Sequence, residues 1–153
     1  MTLRIREARP EDRAFIEALG KRTVMDSVAA WRHAAPRAVL ENYDRLLDIV
    51  SRKTHVALVA EEGGAYAGFL LLLDDLPDEV TGDDQAFIAY MAVEPAYRGA
   101  GVGAALLERA ENEARNRGLP YMTLMVTEDN TPARVLYERA GYTTERRLLC
   151  KKL

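Results

Sequence analysis

Apolar positions along the chain change period several times, and each change marks an element. Leu3 and Ile5 alternate with Arg4 and Arg6, which predicts a short first strand. Pro10-Glu-Asp opens a helix with proline and acids in its first turn, and Phe15, Ile16 and Leu19 form the apolar face. From Lys21 to Ala35 the pattern is irregular and carries Met25, Trp31 and His33. A second helix is expected from Pro36, since Val39, Leu40, Tyr43, Leu46, Leu47 and Val50 recur at helical spacing. His55 to Ala60 and Ala65 to Leu73 read as two strands of a hairpin turning at Gly63-Gly64. Asp74 to Asp84 is an acidic loop broken by Pro77 and Gly82.

Phe87 to Val93 is an uninterrupted apolar run ending before Pro95, the pattern of a largely buried strand. From Val102 the period becomes helical, with Val102, Leu106, Leu107, Ala110 and Ala114 on one stripe and Glu111/Arg115 and Glu113/Arg117 as solvent-face pairs. Gly118-Leu-Pro120 ends that helix. Tyr121 to Thr127 is the next strand, parallel to Phe87–Val93 because a helix connects them. Thr131-Pro-Ala begins a last helix that Gly141 stops, and the remaining residues to Leu153 read as strand. The order β-α-α-β-β-β-α-β-α-β mixes hairpins with one crossover. It predicts an α+β fold, not a doubly wound sheet.

Composition narrows the function. The 153 residues are 48% hydrophobic, enough for one domain over 1–153 with its own core. A net charge of −3 without a long basic run gives no support for nucleic-acid binding. Cys150 is the single cysteine, which excludes an intrachain disulfide and a multi-cysteine metal site, and no metal is expected. The apolar runs are too short to span a bilayer, and Thr2-Leu-Arg-Ile-Arg has no signal-peptide core. A cytoplasmic protein without membrane partners is the expectation.

The candidate chemistry lies between the buried strand and the helix after it, at Arg98-Gly-Ala-Gly101-Val-Gly103. Glycines at a helix start allow a ligand close to the backbone, where first-turn N–H groups lack partners and the helix dipole is positive. Arg98 adds a fixed charge, so a phosphate-bearing ligand is inferred. A P-loop is excluded because Ala104 and Ala105 follow Gly103 where lysine and a hydroxyl residue are required. Gly99-Ala-Gly101-Val-Gly103-Ala104 satisfies a loose dinucleotide pattern. However, the glycines do not directly follow the strand, and position 119 is Leu where an acid would be needed.

Arg98-Gly-Ala-Gly101-Val-Gly103 fits Arg/Gln-x-x-Gly-x-Gly/Ala, and so resembles the acyl-CoA motif of the GCN5-related N-acetyltransferases, the GNAT superfamily. Asn130-Thr-Pro-Ala133-Arg-Val-Leu136-Tyr137-Glu-Arg-Ala-Gly141-Tyr142 is similar to the second signature of that family. The resemblance covers essentially the whole chain. It implies an acyl-CoA N-acyltransferase fold of three layers, a mostly antiparallel mixed sheet with helices on both faces. It also implies direct acetyl transfer from acetyl-CoA, as co-substrate, to a primary amine on a small molecule or peptide. By resemblance, the backbone of Met91, Ala92 and Val93 holds the pantetheine arm and the acetyl oxygen. The turn Arg98, Gly99, Ala100, Gly101, Val102, Gly103, Ala104 holds the pyrophosphate. Asn130 contacts the CoA arm, and Tyr137 both contacts the cofactor and protonates the leaving thiolate. A homodimer would follow family habit.

The general base is not supplied by the positions the family uses: Phe87, Ala89 and Met125 stand there. Asp83, Asp84, Glu128, Asp129 and His33 are the remaining candidates, with solvated loop charge the simpler reading of the acids. Strand parity points Tyr90 away from Phe87 and favours packing. Cys150 reads as strand filler. The missing base leaves a second function class in play, an acyl-CoA-binding sensor with little turnover; intact Asn130 and Tyr137 count against it.

Overall fold

The computed structural model describes residues 2–153, and its centre is a five-stranded sheet. The strands β1 (Leu3–Glu7), β2 (His55–Glu62), β3 (Ala65–Leu73), β4 (Ala86–Val93) and β5 (Met122–Leu124) lie in spatial order β1-β2-β3-β4-β5. The first four are antiparallel neighbours, and β5 joins β4 in parallel through the crossover helix. Helices α1 (Arg13–Thr23) and α2 (Pro36–Arg52) precede the hairpin, α3 (Val102–Asn116) makes the crossover, and α4 (Thr131–Arg139) follows β5. Short 3₁₀ turns open α1 at Pro10–Asp12 and extend it through Val24–Ser27.

The sheet is covered on both sides, as the strand pattern demands. Val56, Leu58, Leu70, Leu72 and Ile88 face α3, whose Val102, Leu106, Leu107, Ala110 and Ala114 are all buried. Val59, Phe69, Leu71 and Leu73 face the other way, onto Ile16 and Leu19 of α1 and Tyr43 and Val50 of α2. This two-sided burial explains why β3 reads as a continuous apolar run instead of alternating. The α1–α2 contact turns on Gly20, where a Cβ would overlap the Tyr43 ring; the Tyr43 hydroxyl donates to Ile16 O at 2.9 Å.

One irregularity in β4 sets up the rest. Leu71 pairs with Tyr90 and Leu72 with Ile88, so Ala89 is an extra residue, a β-bulge. Ala86, Ile88, Met91 and Val93 accordingly face α3, whereas Phe87, Ala89, Tyr90 and Ala92 face α1 and α2. Simple parity placed Tyr90 opposite Phe87. The bulge inserts one residue and returns both to the same face.

Two strand expectations are corrected. β5 pairs only over Met122–Leu124, opposite Ala86–Ile88, and not over Tyr121–Thr127. Pairing stops where the bulge bends β4 away. The strand expected at the C-terminus does not form: residues 142–153 carry no regular secondary structure, and Leu148 and Leu149 are almost fully exposed. Adjacent apolar residues point to opposite faces of a strand, and with Arg146, Arg147, Lys151 and Lys152 flanking them neither face offers a continuous apolar surface. An ion pair fastens the tail instead, Arg146 reaching both oxygens of Asp78 at 2.8 and 2.9 Å.

Candidate active site

The candidate site is the edge of β4 that β5 leaves open. Ladder pairing between the two strands ends at Ile88/Leu124, so β4 from Ala89 to Val93 has one unpaired side. Backbone groups alternate direction along a strand. The amide of Glu94 donates inward to Ala67 O, which turns the peptide groups of Val93 and, two residues back, Met91 to the open side. The outward carbonyl of Val93 accepts a hydrogen bond from Arg98 Nε at 3.2 Å.

At the end of β4 the chain makes a 3₁₀ turn at Pro95–Tyr97 and enters α3 through Gly99 and Gly101, both left-handed at φ +77° and +86°. These angles are open to glycine and strained for other residues. The first α3 amide bonded within the helix is that of Ala105, to Gly101 O. The N–H groups of Val102, Gly103 and Ala104 therefore converge at the helix start without intrahelical acceptors and with no side-chain cap. Gly103 has a different role: a Cβ there would stand 2.9 Å from Leu136 Cδ2 and 3.8 Å from Val93 Cγ2. It lets α3, α4 and the end of β4 meet. The turn is braced from below by Glu94, which takes both Arg22 Nη atoms at 2.9 and 2.6 Å and whose carboxyl pKa is lowered by that partner.

Asn130 and Tyr137 belong to α4, whose Leu136 lies against Gly103 at the start of α3. Asn130 is the N-cap, its Oδ1 accepting from Ala133 N at 3.4 Å, a contact that does not engage its Nδ2. Tyr137 packs against the α3-side core. Burial raises its phenol to about 12, with the Tyr90 phenol as the second cause. At neutral pH it is therefore an O–H donor. Gly141, at φ +93°, ends α4 and reverses the chain, the Tyr142 amide donating to Tyr137 O at 3.0 Å.

The candidate bases Asp83, Asp84, Glu128, Asp129 and His33 are all solvent-exposed. Asp83 and Asp84 precede β4 at its paired end, with Asp83 engaged by Thr81 Oγ1 at 2.9 Å. Glu128 pairs with Arg134 at 3.3 Å on the surface, and Asp129 accepts from Ala30 N at 2.7 Å. Met125, 82% exposed, lies one residue past the last β4–β5 pair. Cys150 is exposed beside Arg32, not strand filler. Sequence reading missed the Tyr90–Thr23 contact at 2.8 Å, because only the bulge reveals it. Among the described residues no group of three or more potential ligands is placed to hold a metal ion, and no helix is long and apolar enough to cross a membrane.

Comparison with known proteins bears on the family and the fold. Residues 11–142 match the sequence profile of the acetyltransferase (GNAT) family. A mycothiol acetyltransferase from Beutenbergia cavernae is 40% identical over 87 residues, which is 56% of this chain but 27% of that protein, so the chain spans about a quarter of this relative's length. A Pyrococcus furiosus protein assigned as an acetyl transferase superposes with a TM-score of 0.84 at 25% identity, covering 99% of this chain and 100% of that one. A Clostridium acetobutylicum protein assigned as an acetyltransferase and solved with acetyl-CoA shares the fold at TM-score 0.67 and 20% identity, over 99% and 96% of the two chains. The chain belongs to the acetyltransferase (GNAT) family.

Proposed function

We propose that this chain, acting as one domain over residues 1–153, transfers an acetyl group from acetyl-CoA to a primary amine of a small molecule or peptide. The observation that carries the reading is the open β4 edge, flanked by the α3 N-terminus at one end and by Tyr137 on α4. The pyrophosphate would rest on the amides of Val102, Gly103 and Ala104, close to the Gly99–Gly101 backbone, with Arg98 as counter-charge. The pantetheine arm would lie along β4 as an added strand, using the outward groups of Met91 and Val93 around Ala92, with Asn130 Nδ2 reaching it from α4.

In this proposal a neutral amine attacks the thioester carbonyl directly. An outward β4 amide donates to the developing oxyanion, an interaction worth ~3 kcal/mol in a preorganised site. Collapse of the tetrahedral intermediate breaks the C–S bond, and Tyr137 donates its proton to the departing thiolate. The amine proton leaves to water, and the exposed positions of Asp83, Asp84, Glu128 and Asp129 supply no buried base to take it. No specific observation favours the binding-only alternative.

The test is thiol release from acetyl-CoA in the presence of a primary-amine panel, with a Cys150→Ser background to remove the exposed protein thiol. Amine-dependent release supports the transferase. Binding of acetyl-CoA without release to any amine would contradict it.

A further inference from the structure

Tyr90 and Thr23 form a hydrogen-bonded pair whose direction can be read from the acceptors around it. Thr23 Oγ1 lies 2.9 Å from Leu19 O and 3.3 Å from Gly20 O, both peptide carbonyls, which only accept. The single threonine proton is therefore committed to them. The 2.8 Å contact between Thr23 Oγ1 and the Tyr90 hydroxyl must then be made with the Tyr90 proton. This leaves the lone pairs of the Tyr90 oxygen as its free function. Thr23 is buried, so water does not compete readily for this arrangement.

The ring is equally fixed. It stacks on Phe69 with centroids 5.8 Å apart and meets Tyr43 edge-on at 5.1 Å. The Ala89 bulge puts Tyr90 on the α1–α2 face, while Tyr137 belongs to the α3–α4 face of the same open edge. The two phenols lie on opposite sides of the place where β4 and β5 part. Asp26 and Arg98 are the charged groups acting on Tyr90.

Resting on the acetyl-transfer reading above, we propose that the Tyr90 oxygen accepts an N–H of the incoming amine and so orients its lone pair toward the thioester carbonyl. Tyr90 is a substrate-binding residue in this role, and Thr23 is its positioning residue. Neither is a general base: the chain of donors ends on a peptide carbonyl, which does not take up a proton. The arrangement also selects for amines over alcohols. A primary amine can give one hydrogen to Tyr90 and lose another, whereas an alcohol would commit the one proton it must shed.

The experiment compares wild type, Tyr90→Phe, Thr23→Val and Thr23→Ser, using phenethylamine, putrescine and glycinamide as probe acceptors. Acetyl-CoA Kd is measured separately by calorimetry. Tyr90→Phe is expected to raise the KM of the best acceptor by ~10-fold, the loss of about one hydrogen bond, with acetyl-CoA Kd within about twofold. Thr23→Val should fall between the two, and Thr23→Ser should restore wild-type kinetics. An unchanged acceptor KM in Tyr90→Phe overturns the proposal and leaves the acetyl-CoA site standing. Wild-type protein that binds acetyl-CoA but acetylates none of the probes also overturns it, whereas absence of acetyl-CoA binding removes the underlying reading first.

Discussion

Tyr142 meets Tyr137 edge-to-face, ring centroids 5.9 Å apart and planes at 70°. The contact exists because Gly141 takes a left-handed conformation and folds the chain back over the last turn of α4. The spacing of the second signature thus has a mechanical reading: the glycine stops the helix, and the aromatic one residue later steadies the tyrosine within it. The Tyr142 hydroxyl is buried without a hydrogen-bond partner. Tyr142→Phe should therefore leave thermal stability unchanged or slightly raised, since it removes a desolvated polar group. Gly141→Ala should cost about 1 kcal/mol from the strained φ and lower turnover by loosening Tyr137. Thermal melts and steady-state kinetics on both variants check this.

Tyr137→Phe should reduce kcat by ~100-fold or more while acetyl-CoA Kd changes little, because the proposed mechanism uses the hydroxyl when the thiolate departs. With the phenol held at about 12, loss of the acid form should not appear in a pH–rate profile near neutrality. A rising limb below that range would report deprotonation of the acceptor amine, and it should move when the acceptor is exchanged for one of different basicity.

Ala104→Glu separates helix stability from phosphate binding. Position 104 is exposed in the first turn of α3, where an acid favours the helix by ~0.5 kcal/mol. The same carboxylate would repel a pyrophosphate on the adjacent amides. The expected result is an unchanged or higher Tm together with at least ~10-fold weaker acetyl-CoA binding. A valine at Gly101 is less informative, since its φ of +86° strains a side chain whether or not a ligand is present.

Asp12 ties the start of α1 to the sheet. It is fully buried and accepts from Arg6 at 2.7 and 3.0 Å, from Arg9 N at 2.7 Å and from Tyr66 Oη at 2.6 Å. The Arg6 hydrogen bonds hold its carboxyl well below the usual range. A lowered folded-state pKa contributes stability above the unfolded value of ~3.9, and that contribution is lost as pH falls through the folded value. Asp12→Asn should cost roughly 2–3 kcal/mol at neutral pH by weakening the charged hydrogen bonds from Arg6, which keeps Glu61 at 2.7 Å. It should also flatten the stability profile below pH ~4, as measured by denaturant titration.

Much of this was legible in the chain. Periodicity located the four helices, the Gly63-Gly64 hairpin and the parallel β4–β5 relationship, because each depends on local pattern and connection length. The glycines at 99 and 101 were read as a turn opening a helix, and the structure adds that both are left-handed. The Ala89 bulge was not legible, since an inserted residue in a wholly apolar run leaves no break in the pattern; with it went the orientation of Tyr90. The tail from 142 to 153 misled for the opposite reason: its composition suits a strand, but pairing requires a face to bury. Gly103 was read as part of the phosphate turn, and its contacts with Leu136 and Val93 add a packing demand that the local pattern does not reveal.

The central claim is where the acyl donor lies, and amide chemical-shift mapping during a titration with acetyl-CoA tests it most directly. The largest shifts should fall on Met91, Val93, Gly99, Gly101, Val102, Gly103 and Ala104, with the Asn130 side-chain amide moving alongside. Shifts confined to other elements, with the β4 edge and the α3 N-terminus unmoved at saturation, would contradict the site.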